Sequence, residues 1–135
     1  MKPKRWIWLL CIELVTVPLV IFLFKFFADQ KRVAALIAGI LFLAVGFYVL
    51  VQVWRSQKWR SCSFWMALVH LGGTAGPLFI YRLIYFQQDF TQVLIFGIPG
   101  PIFHFYSEKV YVFLLLASFT DLIFSYFKGR WQKQI

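Results

Sequence analysis

The sequence predicts an all-α, polytopic integral membrane protein: a bundle of four transmembrane helices with a kinked third helix and a third connection that is non-helical or re-entrant. Three observations lead there. Of its 135 residues, 61% are hydrophobic and 14% charged, against about 45–50% and about 25% in soluble domains, so polar side chains are too few to make a water-facing shell. Four stretches carry the roughly 20 apolar residues that a helix needs to cross a hydrocarbon core about 30 Å thick. The breaks between the first three stretches are short and charged. The same composition excludes a disordered chain, because 21% of the residues are aromatic and disordered chains lack them. Two cysteines, Cys11 and Cys62, are too few for a disulfide-stapled secreted module, and no disulfide is expected between them.

Taken in order, the first span covers about residues 6–28. Lys2, Lys4 and Arg5 precede it as in a signal peptide, but its apolar run exceeds the usual signal core of about 7–15 residues. No small residue stands three back from a cleavage point near Phe26, Phe27 and Ala28, so it reads as a retained anchor. Asp29 to Arg32 form a tight turn into the second span, residues 33–54, and Arg55 to Arg60 form another into the third, residues 61–86. The third connection, residues 87–109, holds the run Val93 to Phe103, which is too short to cross and is interrupted by Gly97, Pro99, Gly100 and Pro101. It reads as an interfacial or partly re-entrant cap. The fourth span follows at residues 110–127, and the whole chain, 1–135, is one membrane domain.

Lys and Arg in short loops resist translocation and set orientation. One side carries Lys2, Lys4, Arg5, Arg55, Lys58, Arg60, Lys128, Arg130 and Lys133, nine in all, while the other carries Lys25, Lys31, Arg32, Arg82 and Lys109, which is five. Both termini are therefore expected in the cytoplasm, with the chain in a bacterial inner membrane. Trp6, Trp8, Trp54, Trp59, Trp65 and Trp131 fall near the same side, as indole rings at headgroup level do. The net charge of +9 then has anionic lipid headgroups as its partner. Nucleic acid is not an expected partner, since no basic stripe interleaves with aromatics on a folded surface.

Ionisable groups in lipid are costly, on the order of 2.5–3.5 kcal/mol at a helix centre, so each asks for a partner or a purpose. Glu13 lies roughly 10 Å past Trp6, Asp121 a similar depth before Lys128, and His70 roughly 15 Å beyond Arg60, at about 1.5 Å per residue. Glu13, His70 and Asp121 thus form a candidate buried polar layer. Thr16 is one turn from Glu13, and Ser118, Asp121 and Ser125 share a helix face. Such a layer serves either as hydrogen-bonded glue between helices or as a proton or ion pathway. Arg82, late in its span, can snorkel outward. His70 as a haem ligand lacks a facing partner, because His104 falls in the third connection, and neither a cofactor nor a metal is expected.

Gly72 and Gly76 make a G-x-x-x-G spacing that brings helix backbones close, and Pro77 removes a backbone donor, which predicts a kink there. A broken helix whose freed carbonyls hold an ion is the sharper alternative. A second line of small residues, Ala35, Gly39 and Gly46, offers a similar groove on the second span. Either groove could be filled within the chain or by a partner helix.

Four spans, little loop and a first-helix glutamate at Glu13 resemble the small multidrug transporters, and that resemblance implies proton-coupled transport. The chain departs from them in the Gly72 to Pro77 motif, the long third connection, Asp121 and the biased loop charge. No P-loop, His-x-x-x-His helix, Cys-x-x-Cys or nucleophile elbow occurs, so no enzymatic activity is expected. The leading expectation is a non-enzymatic subunit or scaffold of a membrane complex, acting through helix packing on other membrane helices or on itself. The alternative is a small proton- or ion-coupled transporter that works as a homo-oligomer.

Overall fold

The structure, a computed structural model, describes residues 1–134, with side chains described through Trp131. Four helices are long and apolar enough to cross a membrane: α1 (Pro3–Phe26), α2 (Lys31–Arg55), α3 (Cys62–Ile84) and α4 (Gly100–Gln134). Each helix packs on its neighbours in chain order, and α4 closes the bundle against α1.

The interior is marked out by heptad-like spacing. The buried residues of α1 are Trp6, Leu9, Glu13 and Thr16, at alternating steps of three and four, which keep one seam facing the partner. On α4 the same rhythm runs through Ser107, Tyr111, Leu114, Ser118 and Asp121, all buried. Trp6, Leu9, Val49, Val53, Phe64, Ala67, Tyr111 and Leu114 pack together in the half of the bundle that holds the chain ends. The outward faces of all four helices carry large apolar side chains, among them Phe22, Phe47, Ile80 and Phe113, as lipid-facing surfaces do.

α2 and α3 cross closely because α2 supplies small residues. A methyl group added at Gly39 would lie 2.8 Å from the Phe79 ring, and one at Gly46 would lie 2.6 Å from the His70 ring. Of the Ala35, Gly39, Gly46 line, Gly39 and Gly46 are thus met within the chain by α3 side chains.

Where the sequence predicts a kink, α3 carries a π-helical segment, Val69–Ala75, between α-helical pieces Cys62–Leu68 and Gly76–Ile84. The Gly76 N–H donates to the Leu71 carbonyl five residues back. Pro77 has no N–H to offer Gly73, and its ring crowds that carbonyl, so a widened turn just before it relieves the clash. The Thr74 hydroxyl donates to the His70 carbonyl at 3.2 Å, a side-chain bond inside the π-helical segment.

The third connection and fourth span depart from expectation in their boundary. The non-helical stretch ends at Pro99, and α4 begins at Gly100 rather than at residue 110. Pro101 falls in the first turn, where a missing N–H costs nothing, so the Gly-Pro pair that reads as a breaker is a start signal. Ahead of it lie a 3₁₀ turn (Phe90–Gln92) and a hairpin of β1 (Leu94–Ile95) with β2 (Ile98–Pro99). The hairpin pairs Leu94 with Pro99 and Ile95 with Ile98. Its two loop residues, Phe96 and Gly97, both have positive φ, 51° and 79°, as a type I′ turn requires. Ile95 is fully buried against Leu78, Val93 and Phe103, so the hairpin closes the end of the bundle away from the chain ends.

Candidate functional site

The three predicted polar residues sit in the bundle interior, but they do not touch one another. Each is bonded to a different neighbour.

Glu13 is fully buried. The Ser118 hydroxyl on α4 donates to its Oε1 at 2.6 Å, and the Tyr111 hydroxyl, two turns earlier, donates to the Glu13 carbonyl at 2.7 Å. Among the described residues its Oε2 has no partner. The Thr16 hydroxyl turns back to the Ile12 carbonyl at 2.8 Å. These bonds join α1 to α4.

Asp121 caps α3. Its Oδ2 accepts from the Ser63 N–H at 2.8 Å and from the Ser63 hydroxyl at 2.5 Å, while Oδ1 accepts from the Cys62 N–H at 3.3 Å. A carboxylate is favoured at the N–H end of a helix by direct bonds and by the axial dipole. Ser61 caps the same end locally, accepting from the Phe64 N–H at 3.3 Å.

His70, 1% exposed, donates from Nε2 to the Phe42 carbonyl on α2 at 3.1 Å. A carbonyl can only accept, so Nε2 carries the proton and Nδ1 of the neutral ring is a lone pair. Among the described residues no partner meets Nδ1.

Of the G-x-x-x-G pair, Gly72 faces outward, where an added methyl would meet nothing within 4 Å. Gly73 is also exposed. Gly76 is tied to the π-helical turn, because a methyl there would lie 2.1 Å from the Leu71 carbonyl oxygen. The two glycines thus answer different constraints.

Two hollows flank this polar layer. One, about 620 Å³, lies between the four helices in the half away from the chain ends and reaches His70 and Tyr111. Phe42, Phe79, Arg82, His104 and Glu108 also line it. His104 Nε2 and Glu108 Oε1 stand 2.9 Å apart. The Arg82 guanidinium lies 3.8 Å from the centre of the Phe90 ring, so it is held by a cation–π contact at the hairpin end. The other hollow, about 1220 Å³, opens among the chain ends and the α2–α3 turn and is walled by Lys2, Arg5, Trp6, Lys58, Arg60 and Lys128, with Asp121 at its edge. The Ser125 hydroxyl donates to the Met1 carbonyl at 3.1 Å, so both chain ends lie on one face, as an even number of crossings requires.

Sequence reasoning missed Tyr111 and Ser63 as partners of the buried acids. The signal for Tyr111 was present: with Ser118, Asp121 and Ser125 it stands at heptad spacing on one stripe of α4. Nothing local marks Ser63, because its partner is 58 residues away. Among the described residues, no three His, Cys, Asp or Glu side chains come together as a metal site. Cys11 and Cys62 are free and exposed. Compared with family models, curated proteins and solved structures, the chain matches none.

Proposed function

We propose that this membrane protein is a non-enzymatic subunit or scaffold that docks another membrane helix, or a second copy of itself, on the outward face of α3 at Gly72 and Gly73. The observation that supports this reading is the bare backbone there. Two exposed glycines in mid-span leave a π-helical turn uncovered, between the larger side chains of Trp65, Val69 and Ile80. Lipid cannot hydrogen-bond an irregular turn, whereas a close-packed helix excludes lipid from it and gains van der Waals contact over the notch. In this reading the chain ends face the cytoplasm of a bacterial inner membrane, on the nine-to-five distribution of Lys and Arg.

Extraction in a gentle detergent followed by mass measurement of the intact particle tests it. The expected particle is heavier than one 16.0 kDa chain, and Gly72→Leu, whose added Cβ meets nothing within 4 Å of its own chain, reduces it to the single chain. A particle that is a single chain from the outset overturns the reading.

The 620 Å³ hollow favours a second reading, a proton- or ion-coupled transporter working as a homo-oligomer, because ionisable side chains line an interior space. Its test is flux into liposomes with a pH-dependent rate. Flux unchanged in Glu13→Gln removes Glu13 from that mechanism.

A further inference from the structure

The strongest unassigned feature is the basic hollow at the chain-end face. Its cations come from three segments far apart in sequence: Lys2 and Arg5 at the start of α1, Lys58 and Arg60 in the α2–α3 turn, and Lys128 on α4. The fold, and not local sequence, brings them together. Their mutual influence is visible at the Met1 amine, which is held below its ordinary value first by burial and then by Lys58, Arg5 and Lys128.

Among the described residues, none of these charges is matched by an acid in an ion pair. The one ion pair among the described residues is His104 with Glu108, at the other end of the molecule. Among the described residues the only acid lining the hollow is Asp121, and its oxygens are engaged by Cys62 and Ser63. Five like charges around one concavity repel each other, and a multivalent anion seated among them reverses that cost. The hollow, about 1220 Å³, exceeds the roughly 300–1,000 Å³ of ordinary ligand sites, which leaves room for a hydrated headgroup.

Its depth in the bilayer narrows the choice. Trp6 is buried in its wall and Trp59, edge-to-face with Trp54 with ring centres 3.9 Å apart, stands at its rim. Indoles sit at headgroup level, so the cations lie where lipid phosphates lie.

We propose that this hollow is a binding site for a group bearing two phosphates, presented by a lipid of the adjoining leaflet. Two neighbouring phosphates on one molecule carry charge enough to offset both the α1 pair and the turn pair, whereas a single phosphate offsets fewer of the five cations. Basic pockets between transmembrane helices recognise such headgroups by the same logic.

Native mass spectrometry of the full chain, with cardiolipin or phosphatidylglycerol supplied at equal phosphate content, tests the site. The expected result is about tenfold stronger retention of cardiolipin, lost in Lys58→Gln/Arg60→Gln and kept in Lys25→Gln/Lys31→Gln, which removes two charges from the opposite side. The charge-preserving pair Lys58→Arg/Arg60→Lys restores retention, which separates loss of charge from loss of fold. Equal retention of the two lipids, or undiminished cardiolipin binding in Lys58→Gln/Arg60→Gln, overturns the proposal. Inorganic pyrophosphate is the competing arm. Displacement of cardiolipin by pyrophosphate at lower concentration upholds the diphosphate site but overturns its lipid source.

Discussion

The carboxylate of Asp121 accepts two hydrogen bonds from a single residue, Ser63, whose backbone N–H is 2.8 Å and whose hydroxyl is 2.5 Å away. A residue late in the chain therefore finishes the start of α3, and the α2–α3 turn cannot move without breaking a buried contact. Asp121→Ala strands the Cys62 and Ser63 amides and is expected to cost about 1–3 kcal/mol. Asp121→Asn keeps one accepting oxygen and should lose less. Thermal unfolding in detergent ranks the two variants, and equal stability of Asp121→Ala and the parent chain sinks the capping role.

The α2–α3 crossing predicts a graded response at two glycines. Gly46→Ala drives a methyl into the His70 ring at 2.6 Å, with the Leu71 side chain at 3.0 Å. The buried ring then has to leave its bond to Phe42, at an expected cost of about 1–3 kcal/mol. Gly39→Ala meets only the Phe79 ring, which lies half-buried beside a hollow and can swing into it. Unfolding midpoints should place Gly46→Ala well below Gly39→Ala.

A contrast of opposite sign is expected between Gly72 and Gly76. Gly72→Ala adds a methyl in open space and replaces the poorer helix former, so the isolated chain gains up to about 1 kcal/mol. Gly76→Ala forces a methyl onto the Leu71 carbonyl, which is backbone and cannot step aside, so the chain loses stability. Paired thermal melts of the two variants check the sign.

Outside the membrane, the Thr91 N–H donates to Asp89 Oδ1 at 3.1 Å and holds the Asp89 carboxyl below its ordinary value, with smaller help from the Thr91 hydroxyl and Arg32. A depressed acid stabilises the folded turn above its unfolded value, and that contribution disappears as pH falls through the folded value. The 3₁₀ turn at Phe90–Gln92 is therefore expected to loosen in acid. Amide exchange at Thr91, followed from neutral to acid pH, should show the transition, and Asp89→Asn should flatten it. A Thr91 profile identical in the two proteins removes Asp89 as the cause.

Four crossings are legible in this sequence because bilayer thickness imposes a length on every apolar run, and Asp29 to Arg32 and Arg55 to Arg60 interrupt those runs unambiguously. The clustering of Ser118 and Asp121 on one stripe is legible for the same reason, since lipid offers polar groups no partner. Which acid meets which hydroxyl is not, because Asp121 with Ser63 and Glu13 with Ser118 are decided by how helices distant in sequence lean together. Outward faces as apolar as the interior also hide the buried side of each helix from any periodicity in hydrophobicity. Gly100 and Pro101 mislead for a different reason: the same dipeptide stops a helix from within and opens one at its first turn.

The π-helical turn at Val69–Ala75 accommodates one surplus residue, so everything beyond it in α3 is out of phase with everything before it. Closing that turn to regular α-helix with every residue kept would rotate the Gly76–Ile84 piece by about 100°. Leu78 would then swing off Ile95 and Arg82 off Phe90, while the Ser61 and Asp121 caps stayed put. Excising one residue takes up the surplus instead, so a single deleted codon would leave the hairpin end of the molecule coupled to its basic end.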